Sequence, residues 1–338
     1  MKIIFDLRNV GLGNNGGSST LVKSGNTLLE MGHDVYFIDS MRNQHTWTPL
    51  KAQHIIVNNN KDIPDADIII ATGYKSVAPT VQAPKQCGIK THWLRAWETW
   101  QSSEKEIIEK ILKAPTKKFV NSIGLQEKLH SHNTDSYIVR PGYDLHELYP
   151  IVGARDKRDK FIIGALYTTG KHVAIKRYGW VLEVAKYMKG KYPNIELWMM
   201  GTSHTPEQAD KYYRQPTIKE KNEFYNGVDV WLSPSKQEGL HMPPAEAMLT
   251  GCPVVGNDTI LSGTKDYLID KVSGFVSKND YNDFRDCVER IYLNKVLRIT
   301  MGNEARKCIE AIGSREKNMK YFVDLIETMI GYKKEVTI

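Results

Sequence analysis

The sequence predicts an α/β fold built from two doubly wound parallel sheets, and three observations support this prediction. The chain has 338 residues, which is long enough for two domains of ordinary size. Short apolar runs alternate with helical segments through the first half, the pattern of a parallel sheet covered by helices. The same alternation begins again at Phe161, so a second domain of the same class is expected.

Seven apolar runs predict the strands of the first domain. They span residues 2–5, 35–38, 54–57, 68–71, 89–94, 118–121 and 136–139. Between the first two, the apolar spacing of residues 18–31 predicts a helix capped by Ser18 or Ser19. Gly32 would end that helix.

The second domain is predicted from five further strands. They span residues 161–166, 195–200, 228–232, 254–256 and 274–276, with helices at 178–189 and 246–249. Pro150, Gly153 and the charged run 155–160 interrupt any periodicity and predict a solvated linker. The domains are therefore placed at 1–155 and 156–315, and an amphipathic helix at 316–330 begins a terminal segment, 316–338.

Composition narrows the class of protein. Hydrophobic residues make up 41% and charged residues 25% of the chain, as in soluble globular proteins. No apolar run reaches the length of a membrane span, and the first residues are too short and too polar for a signal peptide. The four cysteines are scattered without metal-binding spacing, so reduced thiols and a cytoplasmic location are expected. The net charge of +7 favours polyanionic partners such as nucleotides, anionic lipid or nucleic acid.

The most informative segment runs from Glu238 to Val255. Glu238 follows an apolar strand in a loop, and Glu246 lies eight residues later inside a predicted helix. Pro243 and Pro244 suit the first helical positions, and Gly251 suits the end. A strand, loop and helix arranged in this order leave main-chain N–H groups and a positive dipole end free for a diphosphate.

This segment, E-x7-E closed by Gly-Cys-Pro-Val-Val, resembles that of the family 4 retaining glycosyltransferases, whose fold is called GT-B. The resemblance implies two Rossmann-like doubly wound domains that face each other across a cleft, with the terminal helix crossing back to the first domain. It also implies transfer of a hexosyl or pentosyl group from a nucleotide-diphosphate sugar to an acceptor hydroxyl. The similarity is strong over residues 171–255 and patchy before them.

By this resemblance, Glu238 would accept hydrogen bonds from hydroxyls of the donor sugar, and Glu246 would bind both ribose hydroxyls. Main-chain N–H groups of Leu240, His241 and Met242 would approach the sugar and the phosphates. The family more commonly carries glycine at the position of His241, so the donor preference is left open.

Three cations follow the first strand of the second domain. In the resembling enzymes, two cations about five residues apart hold the diphosphate, and Lys171 and Lys176 have that spacing. Arg177 could take the place of either lysine geometrically. Which two of the three cations would hold the diphosphate is therefore left open. Fixed donors of this kind stabilise the negative charge on the departing phosphate.

A glycine-rich loop follows the first strand. Gly11, Gly13 and Gly16 form G-x-G-x-x-G, and Asp39 stands at the end of the second strand. A lone fingerprint is weak support for a nicotinamide site, which we reject. The resemblance instead implies that Gly13, Gly16 and Gly17 let main chain approach the donor phosphate and the acceptor.

Three polar residues lie near the end of the fifth strand: His92, Arg95 and Glu98. Family members place a histidine or an acidic group near here, against the reacting sugar. Strand alternation prevents all three from facing one site, unless the strand ends by Leu94. A histidine satisfied inside the sheet is the alternative for His92.

The acceptor is not specified by these motifs. Cell-envelope glycans and lipid-linked glycans are the family's commonest acceptors, which leaves open peripheral attachment to the inner membrane face. One alternative is transfer to hydroxymethylated DNA bases, for which residues 93–100 with Arg42, Gln44, His45 and Trp47 could stack and bind phosphate. Another is a GT-B nucleotide-sugar epimerase.

No cofactor beyond the donor substrate is expected. No bound metal ion is expected either, because the only Asp-x-Asp pair, Asp65 and Asp67, precedes its strand. Residues 214–217 are a candidate contact for the nucleobase. The base, the sugar and the oligomeric state stay open.

Overall fold

A computed structural model describes residues 1–156, 158–170 and 173–331. The chain divides into two compact units. Unit 1 holds Met1–Gly142 together with the C-terminal segment that starts at Ser314, and unit 2 is Tyr143–Gly313. Each unit is built on one parallel sheet.

Unit 1 contains a seven-stranded sheet in the order β3-β2-β1-β4-β5-β6-β7, and every pairing in it is parallel. The strands are β1 Lys2–Asp6, β2 Asp34–Asp39, β3 Gln53–Ile56, β4 Ile68–Ala71, β5 Ile89–Leu94, β6 Lys117–Val120 and β7 Tyr137–Ile138. The strand order reverses between β1 and β4, and ligands of such sheets bind at the carboxyl ends of the strands beside that point.

Four α-helices of unit 1 precede the second unit. They are α1 Gly16–Glu30, α2 Tyr74–Gln82, α3 Glu104–Glu106, which continues as a π-helical segment Ile107–Leu112, and α4 Ile123–His130. Helix α1 begins two residues earlier than predicted, and its cap is Asn15 rather than Ser18 or Ser19. The Asn15 side chain accepts a hydrogen bond from the Ser18 N–H at 2.9 Å.

Unit 2 contains a six-stranded parallel sheet in the order β10-β9-β8-β11-β12-β13. The strands are β8 Phe161–Leu166, β9 Ile195–Gly201, β10 Lys211–Arg214, β11 Val230–Leu232, β12 Val254–Asn257 and β13 Gly274–Ser277. The helices are α5 Tyr178–Lys191, α6 Ile218–Gly227, α7 Met242–Leu249, α8 Tyr281–Leu293 and α9 Lys295–Ile312. The prediction of two Rossmann-like sheets is confirmed.

The last described helix, α10 Arg315–Ile330, packs in unit 1. Phe322 is fully buried there, with its ring 5.6 Å from that of Trp93 and 5.3 Å from that of Phe119. The main chain of Ser314 and Arg315 also passes so close to Gly142 that a side chain at Gly142 would collide with it.

The predicted boundary at residue 155 is wrong, because the chain changes units at Gly142 and again at Gly313. Tyr143 and Leu148 are buried in the core of unit 2. Two arginines of the charged run are bound to unit 2 and are not part of a solvated linker. The Arg155 guanidinium donates to three main-chain carbonyl groups of unit 2. Arg158 forms an ion pair with the buried Asp229.

Candidate active site

The loop between β11 and α7 is held in place by neighbouring segments on both sides. The Lys236 N–H donates to the Ile175 carbonyl at 2.8 Å, and the Glu238 N–H donates to the Leu261 carbonyl at 2.7 Å. The loop therefore brings Glu238 beside the turn that precedes α5, which carries Lys176.

Lys176 and Glu238 form a largely buried ion pair. Lys176 Nζ lies 2.6 Å from Glu238 Oε1. Burial opposes ionisation of Glu238, but the charges of His241 and Lys176, with hydrogen bonds from Lys176 and Ser235, hold its pKa below the usual value. The pair thus places a cation and an ionised carboxylate where the sequence predicted a phosphate-binding and a sugar-binding group.

His241 joins this cluster from the start of α7. Its Nδ1 lies 3.0 Å from the Ser233 hydroxyl and its Nε2 lies 3.5 Å from Glu238 Oε1. Burial lowers the pKa of His241 to about 4, so the ring is neutral near pH 7 and Lys176 is then the cation that acts on Glu238. The residue sits at φ 24°, and the Tyr267 hydroxyl donates to its carbonyl at 2.6 Å. Its side chain therefore occupies space beside the carboxylate that a glycine would leave open.

Gly263 allows Glu238 and His241 to lie close together. A Cβ at this position would come within 2.6 Å of Glu238 Cβ and 2.8 Å of His241 Cβ, and the backbone has φ +73°. Gly263 and Tyr267 were not predicted as site residues from the sequence. Nothing in their local sequence distinguishes them, because their importance comes from a loop distant in the chain.

Glu246 faces helix α6. Lys221 Nζ lies 2.6 Å from Oε1 of Glu246, and the Tyr225 hydroxyl donates to Oε2 at 2.8 Å. Leu240, just before the helix, is buried, and Met242 is the first residue of α7. The two carboxylates of the E-x7-E segment are thus each paired with a different lysine.

The other two cations differ from Lys176. Arg177 has a left-handed backbone, with φ 47°, immediately before α5. Its guanidinium lies 4.2 Å from the centre of the Trp180 ring and donates to the Asn279 side chain. It is therefore not brought to Glu238, and Lys171 lies outside the described residues.

In unit 1, the glycine-rich loop is fastened to the loop that follows β2. The Asn14 amide donates to the Thr46 hydroxyl at 2.9 Å, and the Thr46 N–H donates back to Asn14 at 2.9 Å. The Gly13 N–H donates to the Ser18 hydroxyl at 3.2 Å. Gly16 and Gly17 form the first turn of α1.

Arg95 connects this loop to the end of β4. Its Nη1 donates to the Gly17 carbonyl at 2.5 Å and its Nη2 donates to the Thr72 carbonyl at 2.9 Å. Burial lowers the pKa of Arg95 to about 10. The guanidinium thus orders main chain at the carboxyl edge of the unit 1 sheet.

His92 and Glu98 lie near Tyr74 of α2. Strand β5 ends at Leu94, so alternation does not restrict Glu98, whose N–H donates to the Tyr74 hydroxyl at 3.1 Å. Burial raises the pKa of the Glu98 carboxyl. His92 is fully buried, and neither ring nitrogen has a hydrogen-bond partner among the described residues. It is therefore not a satisfied core histidine; burial, with Lys118 and Arg95, holds its pKa well below 6.5.

The aromatic residues considered for stacking nucleic-acid bases are mostly interior. Trp93 and Trp97 are buried in unit 1, whereas Trp47 is 40% exposed. The two buried rings are therefore core residues.

No cluster of three or more potential metal ligands occurs among the residues that the structure describes. In the same part of the chain, no helix is both long enough and apolar enough to cross a membrane.

Two Rossmann-like parallel sheets are the architecture of the GT-B fold, and in unit 2 Glu238 and Glu246 flank the start of α7. Residues 163–294, all within unit 2, match the family described as Glycosyl transferases group 1. The predicted family resemblance is thus confirmed over this part of the chain.

Two curated relatives align with part of the chain. The capsular polysaccharide biosynthesis glycosyltransferase CapM of Staphylococcus aureus is 26% identical over 164 residues, which cover 45% of this chain and 42% of CapM. Trehalose synthase of Pyrococcus horikoshii is 25% identical over 174 residues, which cover 45% of this chain and 40% of the trehalose synthase. The aligned region is thus less than half the length of each relative.

Solved structures share the fold over nearly the whole chain. Sucrose-phosphate synthase from Thermosynechococcus elongatus matches with a TM-score of 0.77 at 16% identity, covering 98% of this chain and 100% of that one. HepE from Anabaena, solved in complex with UDP and glucose, also matches with a TM-score of 0.77 at 11% identity. The match covers 97% of this chain and 100% of HepE.

Proposed function

We propose that this protein is a retaining glycosyltransferase that moves a sugar from a nucleotide-diphosphate sugar to a hydroxyl of a glycan or lipid-linked acceptor. The observation that carries this proposal is the 2.6 Å pair between Lys176 and Glu238 beside the start of α7. The match to the group 1 family covers both residues. CapM is described as acting in capsular polysaccharide biosynthesis, which supports a glycan acceptor.

The pair supplies complementary groups for a donor. A diphosphate carries more negative charge than a carboxylate, so an arriving donor would draw the Lys176 ammonium toward its phosphates. Glu238 would then accept hydrogen bonds from sugar hydroxyls in place of the lysine. Main-chain N–H groups at the start of α7 add positive potential for the same phosphates.

Chemistry requires one bond to break and one to form. The bond between the anomeric carbon and the phosphate oxygen breaks, and its electron pair leaves with the diphosphate. The acceptor oxygen bonds to the anomeric carbon on the same face, and its proton passes to the departing phosphate oxygen. Lys176 would stabilise the charge on that leaving group, with Lys171 as a second donor, so we propose no requirement for a bound metal ion.

Unit 1 would supply contacts to the reacting sugar and the acceptor. Glu98 offers a carboxyl group near the carboxyl edge of the sheet, and His92 offers two unpartnered ring nitrogens. Arg95 would act indirectly, because both of its terminal nitrogens already hold main-chain carbonyl groups.

A panel of UDP-, GDP-, ADP- and dTDP-sugars tests the proposal. A true donor binds only the folded protein and should raise the melting temperature in a concentration-dependent manner. That donor should then yield a glycoside with the donor's anomeric configuration when lipid-linked or soluble glycan acceptors are supplied. Failure of every donor to stabilise the protein would refute the proposal.

The same assay separates the two alternatives, neither of which the comparisons favour. An epimerase would convert the nucleotide sugar without an acceptor. A DNA-modifying enzyme would glycosylate hydroxymethylated duplex DNA and leave glycan acceptors unchanged.

A further inference from the structure

Helix α6 holds the Glu246 carboxylate by both of its oxygen atoms. The Lys221 ammonium contacts Oε1 at 2.6 Å and the Tyr225 hydroxyl contacts Oε2 at 2.8 Å. Lys221 and Tyr225 are four residues apart and therefore lie on one face of α6. Tyr225 is completely buried, and the side chains of Lys221 and Glu246 are only 28% and 18% exposed.

We propose that Lys221 and Tyr225 are positioning residues that orient Glu246 toward the donor's ribose, so that the enzyme selects nucleotides that carry both ribose hydroxyls. This inference rests on the proposed function. An ionised carboxylate has about four lone-pair positions on its two oxygens. Helix α6 occupies one position on each oxygen and leaves one on each. Two neighbouring hydroxyls, such as those of ribose, match the remaining pair.

Tyr225 can act only as a donor at this site. Burial, and after it the charge and hydrogen bond of Glu246, raise the pKa of Tyr225 far above its usual value. Its hydroxyl therefore keeps its proton and holds Oε2 in one orientation. Lys221 holds the other oxygen, so the carboxylate cannot rotate without losing a contact.

The position of α6 in the chain supports the same inference. Residues 214–217, which the sequence suggested as a nucleobase contact, include the last residue of β10 and the three residues between β10 and α6. Thr217 caps the helix through a reciprocal capping box with Glu220. The anchor of the ribose-binding carboxylate is thus fixed one turn after the segment suggested for the base.

Substitution of Lys221 tests this role directly. Lys221→Met removes the ammonium and keeps most of the apolar stem. Lys219→Met is the matched control. Lys219 lies on the same helix, but its side chain is 88% exposed and its Nζ is as far as 3.9 Å from Glu223 Oε1. Calorimetry would measure the Kd of each protein for UDP, GDP and ADP and for their 2′,3′-dideoxy counterparts.

The expected result is selective. For the ribonucleoside diphosphate that the wild type binds best, Lys221→Met should raise the Kd by about 3- to 10-fold, since Glu246 must then be ordered on binding. The dideoxy counterpart should change less than about twofold, because it lacks the hydroxyls that Glu246 would bind. Lys219→Met should change neither. With the donor sugar, KM should rise and kcat should stay constant.

Tyr225→Phe should reproduce this selective loss, and a melting curve would show whether the buried substitution has left the protein folded. Equal losses for ribose and dideoxyribose nucleotides, or no loss for either, would overturn the role of α6 and leave the proposed function intact. Wild-type protein that bound none of these nucleotides, nor dTDP, would instead refute the proposed function, and this inference with it. Binding of dTDP alone would overturn only this inference.

Discussion

Lys176 Nζ and Glu238 Oε1 are 2.6 Å apart, and both side chains are largely withdrawn from water. The ion pair joins the turn before α5 to the loop before α7, two segments separated in the chain by two helices and three strands. In the proposed reaction, a donor would exchange both partners of the pair. The ligand-free pair would then hold each group in place until a diphosphate and a sugar replaced the contact.

Loss of the Lys176 ammonium should impair turnover more than folding. We expect Lys176→Ala to lower kcat by about tenfold or more, because the departing diphosphate loses a fixed positive donor. Steady-state kinetics with the donor identified by melting would measure this. Lys307→Ala, at an exposed ion pair with Glu304 in the same unit, is the control and should leave kcat unchanged. An unaltered kcat for Lys176→Ala would remove this residue from the reaction.

The fold was predictable because buried parallel strands are nearly continuous apolar runs, as in Ile68–Ala71. The predicted strands omit β10, Lys211–Arg214, which is an edge strand with charged residues at both ends. The boundary was misplaced because a charged run resembles a linker in sequence. Only the folded chain shows that Arg155 turns inward to main-chain carbonyl groups.

Candidate site residues could be chosen from the sequence where they belong to a local motif, as Glu238 and Glu246 do. Their partners could not be, because Lys176 and Lys221 lie 62 and 25 residues away from them. Sequence spacing does not specify which lysine meets which carboxylate. The crowding that requires Gly263 also arises only when two distant loops pack together.

Acid should destabilise the protein partly through His241. Its pKa is about 4 in the folded chain and 6.5 when unfolded, because burial disfavours the imidazolium. Unfolding therefore takes up a proton between these values, and the free energy of unfolding falls as pH decreases from 6.5 to 4. The upper limit of this contribution is about 3 kcal/mol. Urea unfolding of wild type and His241→Asn at pH 7 and pH 4.5 should show a weaker pH dependence in the variant.

Glu238, the acidic group beside His241, also has a lowered pKa, but it acts in a lower pH range. The pKa of Glu238 is lowered, so its stabilising contribution is present above about 4.5 and is lost as pH falls through the folded value. Burial also raises the pKa of Glu98, Asp39 and Asp229, so the difference between the wild-type and His241→Asn curves, and not either curve alone, reports on His241. His130→Asn, at an exposed position on α4, should keep the wild-type pH dependence. Parallel curves for wild type and His241→Asn would contradict the burial argument.

A methyl group at Gly263 should disturb both Glu238 and His241. The new Cβ would lie under 3 Å from the Cβ atoms of both residues, and alanine is strained at φ +73°. We expect Gly263→Ala to lower the free energy of unfolding by about 2–4 kcal/mol, from overpacking and backbone strain together. Gly32→Ala is the matched control, with φ +87° and no described heavy atom within 4 Å of its Cβ. Equal losses in the two variants would show that strain alone matters.

The glycine-rich loop should loosen when Arg95 is replaced by lysine. The Arg95 guanidinium holds the Gly17 and Thr72 carbonyl groups at once, and a single ammonium on a flexible stem cannot reproduce that fork. We expect Arg95→Lys to lower the free energy of unfolding by about 1–3 kcal/mol. Hydrogen exchange of residues 11–18 should also become faster. Arg42→Lys, exposed in the neighbouring loop, should change neither quantity. If exchange of the loop stayed at the wild-type rate in Arg95→Lys, the loop would owe its order to the Asn14 and Thr46 contacts instead.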